Sequence, residues 1–455
     1  MNRLLELEKE LARFSGRGTK PNAPAPVAPV SGAQSLGNYG YSRQYSNSPE
    51  EIRILSIDGG GIRGLVPALI LNHIEGRIEQ RMREQQYRKS NHGRISQEDM
   101  GEYGPSIQSF FDVLAGTSTG GIIAGGLACP DRRANGSIKD FHYRASDFVE
   151  IYKGADGRRI FPLEAYNKRE KTKQRAWGLG QAVTAEYDRA GLDAVLDEHL
   201  GRFADGRKIF FHDLLKPVII VSAEFKTGSP AIFKNWENSN YLAADVMRAT
   251  SAAPTFFDPI GFTQVNPRAL PEDRPNFHRM NAQEQIDYLM GRGKYEVPFY
   301  IDGGVYRNNP AAIALDEVIS NPNIFSSAIG RPRISKTPFR VSNQDVDRNH
   351  VLMLSIGTGT TVPNFEESLL AVKNAVTAFE QSMVANSKQE ENTVKQKLQP
   401  SNYFRFNPTL PASAANMDNA HPDNLKELER LTLEYLNKSE VRSQVDALVT
   451  KLVGA

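Results

Sequence analysis

Residues 55–65 read LSIDGGGIRGL, an aliphatic run that closes on an acid, three consecutive glycines and an arginine. Just upstream, IRILSI (52–57) is the short β-branched run of a buried strand. Downstream, LVPALILNHIEGRIEQRM (65–82) places apolar residues at helical spacing. The stretch predicts strand, tight loop, helix, which is the opening unit of an α/β domain. Gly59, Gly61 and Gly64 fall at GxGxxG spacing, half of a dinucleotide-binding fingerprint. The other half is missing. No strand ends in an acid about 20 residues further on; the helix runs instead into RKSNHGRISQEDMGEYG (88–104), and no GK[ST] follows for a P-loop. What remains is a loop whose backbone amides are bare for some other negative charge.

The same order recurs along the chain. SIQSFFDVLAG (106–116) leads into TSTGGIIAGGLA (117–128), VPFYIDGG (297–304) leads into NPAAIALDEVI (309–319), and KPVIIVSAEF (216–225) and HVLMLSIGTG (350–359) add strands. This alternation predicts a mainly parallel central sheet flanked by helices. DFVEIYKGADGRRIF (147–161) and DRAGLDAVLDEHLG (188–201) read as helical or mixed connections, and 261–293 as a long insertion. Phe365, Leu369, Val372, Val376, Phe379 and Met383 form one helical stripe that packs on the sheet. LKELERLTLEYLN (425–437) gives a final helix within a C-terminal extension, 411–455. At the other end, Leu4, Leu5, Leu7 and Leu11 mark a short helix, a docking or self-association element, joined to residue 51 by a Pro/Gly/Ser-rich linker over 15–50.

Composition excludes several function classes. In 455 residues, 55 Lys and Arg nearly cancel 53 Asp and Glu, so no overall field calls for a nucleic acid polymer. One cysteine, Cys129, rules out an intramolecular disulfide framework and a cysteine-based zinc site, and fits a reducing compartment. No run of about 18 apolar residues is present to span a bilayer. These features predict a cytoplasmic protein, peripheral where it meets a membrane.

GTSTGG (116–121) is a GxSxG between strand FDVLAG and helix GIIAGGLA, the sequence form of a nucleophile elbow. Small residues, Gly116 and Gly120 among them, permit the sharp strand-to-helix turn that projects Ser118 at the sheet edge, next to the positive end of a helix. The plain alternative is a glycine-rich turn with an incidental serine. A serine needs a base. For a Ser–His–Asp triad the late histidines are His350, which precedes a strand, and His421, which lies in the polar loop MDNAHPDN. FYIDGGVYRNNP (299–310) offers another base: Asp302 closes a strand, Gly303 and Gly304 keep bulk away from it, and Asn309 and Pro310 begin a helix. A carboxylate bonded directly to a serine orients the hydroxyl and accepts its proton if its surroundings keep it basic. A surface-turn aspartate would look the same in isolation.

Taken in order, DGGGIRG (58–64), GTSTGG (116–121) and DGG (302–304) resemble the patatin-like phospholipase family, and FVEIYKGADGRRIF, MRATSAAPTFFDP and SNYFRFNP extend the resemblance over residues 51–410. It implies a three-layer α/β fold and a lipid acyl hydrolase of phospholipase A type, cleaving fatty acyl esters of glycerolipids without metal or cofactor. By position, Ser118 is similar to the family's nucleophile and Asp302 to its base. Gly59, Gly60 and Gly61 then form the oxyanion hole, with Arg63 either stabilising charge there or bracing the loop. Phe256, Phe257 and Ile260 supply an acyl-lining wall or ordinary core packing. Two other readings stay open, a Ser–His–Asp esterase and a non-catalytic binding module on the same scaffold. The partners implied are membrane phospholipid or a related glycerolipid, an activator such as a nucleotide messenger or a protein for some bacterial members, and a second copy through the N-terminal helix.

Overall fold

A computed structural model describes residues 51–89, 106–132, 138–173, 187–237, 240–254, 256–262, 280–289, 297–320, 350–361 and 375–454. The N-terminal helix and its linker, part of the 261–293 insertion, and Phe365, Leu369 and Val372 of the expected stripe lie outside the described residues. The side chains of Val376 and Phe379 do as well.

Eight strands form the central sheet: β1 (Ile52–Ile57), β2 (Val113–Thr117), β3 (Val218–Glu224), β4 (Pro230–Lys234), β5 (Ile260–Gly261), β6 (Phe299–Asp302), β7 (Val351–Ile356) and β8 (Tyr403–Phe406). Their order is β8-β7-β1-β2-β3-β6-β5, with β4 on the remaining edge of β3. Pairings from β8 to β3 are parallel, while β4, β5 and β6 run antiparallel to their neighbours. The fold is α/β with a mixed, mostly parallel sheet. Strands β4 and β8 carry no strong alternation in sequence and were not among the expected strands.

Main helices follow as α1 (Leu65–Lys89), α2 (Thr119–Leu127), α3 (Ala145–Lys153), α4 (Ala190–Leu200), α5 (Ala243–Thr250), α6 (Ala311–Ser320), α7 (Ala375–Lys397), α8 (Pro422–Leu436) and α9 (Ser439–Val453). Alternate strand residues divide between two faces, as the period of two requires. Ile54, Val113, Ala115, Ile219, Val351 and Met353 pack with Ala311, Leu315 and Val318 of α6 and Val394 of α7. Leu55, Ile57, Leu114, Ile220, Leu352 and Leu354 face the larger core, which takes in α1, α2, α8 and α9. Helix, sheet and helix therefore make three layers. Residue 437 does not end the helical tail: α9 follows α8, with Val441, Val445, Leu448 and Leu452 buried on the same core. Arg53 of β1 ties it down, donating to the carbonyls of Leu452 and Lys451, each at 2.9 Å.

One buried ion pair joins the sheet's edge to the loop that follows β1. Asp58 accepts both terminal nitrogens of Arg405 on β8, at 2.8 and 2.6 Å, and both side chains are nearly inaccessible. Removing one partner leaves an uncompensated buried charge. Arg405→Ala is expected to lower the unfolding free energy by about 3–5 kcal/mol, measured by urea denaturation. A loss under about 1 kcal/mol, the level of an exposed pair, would show that the pair does not anchor the loop.

Candidate active site

Strand β3 brings Ser118 and Asp302 together. Strand β4 occupies one edge of β3 over Ile219–Ala223, so β2 and β6, which pair with overlapping parts of β3, share the other. On that edge β2 ends with Thr117 opposite Val221, and β6 ends with Asp302 opposite Ser222. Two strands running toward each other thus finish on consecutive residues of a third. The residue after Thr117 and the last residue of β6 have to meet.

Ser118 turns the chain from β2 into α2 with φ 54° and ψ −126°, the one positive φ on a non-glycine residue among those described. Such a conformation costs on the order of 1–3 kcal/mol and persists only where its surroundings enforce it. Here the Ser118 amide donates to Thr250 Oγ1 at 2.7 Å, and that hydroxyl donates to the Val221 carbonyl at 2.5 Å. Gly116 and Gly120 are needed because a Cβ on Gly116 would meet the Gly120 backbone, and one on Gly120 the Ile57 and Asp58 carbonyls. Ser118 and Asp302 line the same pocket, where the Ser118 hydroxyl favours the charged form of the carboxylate. Asp302 Oδ1 accepts the Gly304 amide at 2.6 Å, and the Asp302 amide donates to the Ala252 carbonyl at 2.9 Å. The carboxylate is 1% exposed. Burial, outweighing the two donors, pushes its pKa up to about 7.

The glycine loop lies against this pair. The Gly59 amide donates to the Asn308 carbonyl at 3.1 Å, so it is not open to a ligand. The Gly60 and Gly61 amides have no hydrogen-bond partner among the described residues, whereas Asp58, Ile62 and Arg63 donate to Ile356, Met417 and Gly60. The carbonyl ends of the same peptides are held. Gly59 O accepts Thr358 Oγ1 at 2.7 Å and Asn308 Nδ2 at 3.3 Å, and Gly60 O accepts the Arg63 amide at 3.2 Å and its Nε at 3.5 Å. In a trans peptide C=O and N–H point in opposite directions. Fixing these oxygens on one side turns the Gly60 and Gly61 N–H groups to the other, and Gly61 lines the pocket that contains Ser118. Gly61 needs its missing side chain, with φ 58°. Arg63 is buried: its Nε bonds the Gly60 carbonyl, and burial lowers its pKa.

A pocket of about 40 Å³ opens over the pair, lined by Gly61, Ser118, Thr119, Asp302 and an apolar set that includes Ile122, Phe161, Leu192, Phe256, Phe257 and Met383. Phe256 and Phe257 sit in an aromatic group with Phe161 and Tyr187. Ile260 is not among the lining residues; it belongs to β5, paired with Tyr300. Tyr152 also lines the pocket and shares a short hydrogen bond with Thr119. Of the histidines considered, His350 lies just before β7, at the end of the parallel strands opposite to that carrying Ser118. His421 caps α8 by accepting the Asp423 amide at 3.3 Å. Among the described residues, no histidine lines the pocket. The residues that sequence reasoning passed over are Thr250 in MRATSAAP, Asn308 in RNNP, Thr358 in SIGTG and Arg405 in YFRF. Arg405 carried a signal, a charge between two phenylalanines; Asn308, among other polar residues, carried none.

Comparison with known proteins gives a match of residues 55–315 to the family model for patatin-like phospholipases. Patatin-17 of Solanum cardiophyllum is 26% identical over 415 residues, covering 87% of this chain and 86% of that one. Patatin-like protein 2 of Arabidopsis thaliana is 29% identical over 425 residues, covering 87% and 85%. Among solved structures, VipD from Legionella pneumophila overlays with a TM-score of 0.31 at 11% identity, over 85% of this chain and 68% of that one.

The environment of Asp302 has a consequence for stability. Its folded pKa of about 7 lies above the ordinary value of 3.8, so the folded state holds the proton more tightly than the unfolded chain. The associated stabilisation is complete below about pH 4 and is lost as pH rises through about 7. Wild type is therefore expected to lose stability relative to Asp302→Asn by about 1.4 kcal/mol per pH unit across that window, levelling above about pH 8. Urea unfolding of both proteins from pH 4.5 to 8.5 measures it. A constant difference would mean that the carboxylate is solvated.

Proposed function

Because the chain belongs to the patatin-like phospholipase family, we propose that it is a lipid acyl hydrolase acting through Ser118 and Asp302. The observation that carries this reading is the placing of the serine and a buried carboxylate of near-neutral pKa in one apolar pocket. A carboxylate in water is too weak a base to take a serine proton at useful rates; one lifted to about 7 is matched to the task while still partly ionised at neutral pH. The Ser118 hydroxyl gives its proton to Asp302 as its oxygen attacks the ester carbonyl. The amides of Gly60 and Gly61 receive the tetrahedral oxyanion, helped by the positive end of α2, which starts at Thr119. Gly59, engaged with Asn308, has no part in this.

Asp302 then passes the proton to the leaving alcohol oxygen, and the acyl-enzyme forms. Water, giving up a proton to the same carboxylate, attacks the acyl carbon through a second oxyanion on the same amides. Collapse releases the fatty acid and returns the proton to Ser118. The acyl chain lies along Phe161, Phe256, Phe257 and Leu192. The flexible thioethers of Met383 and Met417 also line the pocket and can shift to admit a longer chain. Among the described residues no helix is long and apolar enough to cross a membrane; the enzyme in this reading works from outside the lipid surface.

Ser118→Ala and Asp302→Asn are each expected to reduce fatty acid release from mixed glycerolipid vesicles by at least about 10³-fold, with folding intact. For wild type, kcat/KM is expected to rise with pH and bend near 7, because the base must be ionised. A fluorophosphonate probe is expected to label Ser118. Folded protein that neither labels nor releases acid would favour the non-catalytic module, and loss of activity on His350→Ala or His421→Ala alone would favour a histidine base.

A further inference from the structure

Ser118 lies one residue past the end of β2, beyond the ladder in which Thr117 pairs with Val221. Sheet register alone does not reach it. The link is made by Thr250, a fully buried residue at the end of α5. Its Oγ1 accepts the Ser118 amide at 2.7 Å and donates to the Val221 carbonyl at 2.5 Å. The sense of both bonds is fixed, since a hydroxyl has one proton, a carbonyl only accepts and an amide N–H only donates. The hydroxyl therefore carries the β2–β3 ladder one residue past the strand. Its methyl is held as well: a Cβ on Gly121, the last glycine of GTSTGG, would come within 2.8 Å of Thr250 Cγ2. A β-branched side chain fastened by both arms is confined to one rotamer.

The chain just beyond Thr250 serves the acid. Two residues on, the Ala252 carbonyl accepts the Asp302 amide at 2.9 Å, and Ser251 between them is tied back into the helix, its amide donating to the Met247 carbonyl at 3.2 Å. Residues 250–252 thus hold both members of the pair by their backbone amides, the serine through a side chain and the acid through a carbonyl. Without the Thr250 hydroxyl the buried Ser118 amide loses its partner, and one restraint on its unfavourable φ and ψ goes with it.

We propose that Thr250 is a positioning residue for acyl transfer, its hydroxyl holding Ser118 at a fixed spacing from Asp302. The kinetic consequence rests on the hydrolase reading above; the holding of the serine beside the acid does not. The same bond occupies the Ser118 amide and leaves the oxyanion to the glycine loop.

The test uses the full chain with two substitutions, and thermal unfolding as the folding control. Thr250→Val keeps nearly the same shape without the hydroxyl, and Thr250→Ser keeps the hydroxyl without the methyl. In the first arm, turnover of a soluble p-nitrophenyl acyl ester separates kcat from KM. Misplacing a reacting atom by about 1 Å costs on the order of 10²-fold, so Thr250→Val is expected to lower kcat by about 10–100-fold with KM within about threefold of wild type. Thr250→Ser is expected to restore kcat to within about fivefold of wild type. The second arm needs no turnover. Urea unfolding of each protein beside its Asp302→Asn counterpart, from about pH 4.5 to 9.5, locates the pH at which Asp302 ionises. Burial, the Ser118 hydroxyl and the Gly304 amide are the influences on that ionisation, and the hydroxyl favours the charged form. A serine that has drifted away leaves Asp302 ionising at higher pH, which is expected for Thr250→Val and not for Thr250→Ser. Should Thr250→Val not fold, Thr250→Cys, with a weak donor and acceptor in place of the hydroxyl, replaces it in both arms. Equal damage from Ser and Val would assign the effect to the methyl and overturn the proposal. So would a Thr250→Val protein that loses stability but keeps both kcat and the ionisation range of Asp302. Absence of turnover by wild type would strike the hydrolase reading, while the urea arm still decides whether Thr250 holds Ser118 beside Asp302.

Discussion

The short edge of β3 is the constraint from which the site follows. Val221 and Ser222 are adjacent residues, yet they pair with strands entering from opposite directions. The sheet's parallel half ends at Thr117 and its antiparallel half at Asp302. Had β6 run parallel to β3, its final residue would have left at the same end as Glu224, away from the elbow. The antiparallel strands of this sheet are therefore not a decoration on a parallel fold; they deliver the acid. The same edge supplies Val221's carbonyl, which through Thr250 Oγ1 holds the Ser118 amide. One strand aligns the serine, its support and the carboxylate.

Burial at that junction sets the electrostatics. Asp302 sits where little water reaches, so its charged form is disfavoured. Among the described residues the Gly304 amide donates to it, and the Ser118 hydroxyl also favours its charged form. Contrast Asp58, one turn of chain from the same site and equally buried, whose carboxylate meets a bidentate guanidinium. Burial raises the pKa of both acids, but at Asp58 it works against the pull of Arg405, whereas at Asp302 only the Ser118 hydroxyl and the Gly304 amide oppose it. Arg405 can stand close to the loop and brace it without acidifying Asp302, because Asp58 absorbs its charge.

Much of this was legible in the sequence and some was not, for reasons that differ by residue. The strand–loop–helix around LSIDGGGIRGL and the elbow at GTSTGG are local in the chain, so strand and helix periodicities with glycine between them expose both. Strand β8 was hidden because YFRF is only four residues long, too short for its alternation of buried phenylalanines with Arg405 to stand out, and the pairing of Arg405 with Asp58 spans most of the chain. Helix α9 was missed because its apolar positions, Val441, Val445, Leu448 and Leu452, follow a first helix without a strong breaker. The glycine loop was legible in kind but not in detail. Three adjacent glycines announce bare amides; which of them is already engaged depends on where the chain brings Asn308.

That last dependence explains why the loop needs polar residues from so far along the chain. Glycines give close approach but no rigidity, and an oxyanion site loses its advantage if the donors must reorganise as charge develops. Thr358 and Asn308 fasten the Gly59 carbonyl, Arg63 fastens that of Gly60, and peptide planarity transmits each constraint to the N–H on the other side. Direct support of the amides would occupy the very donors the reaction needs. Support through the carbonyls leaves them open, and Arg63, which gives that support at Gly60, also lines a second cavity beside the loop. The rigidity of the proposed oxyanion site and the charge of the neighbouring cavity thus both involve the same arginine.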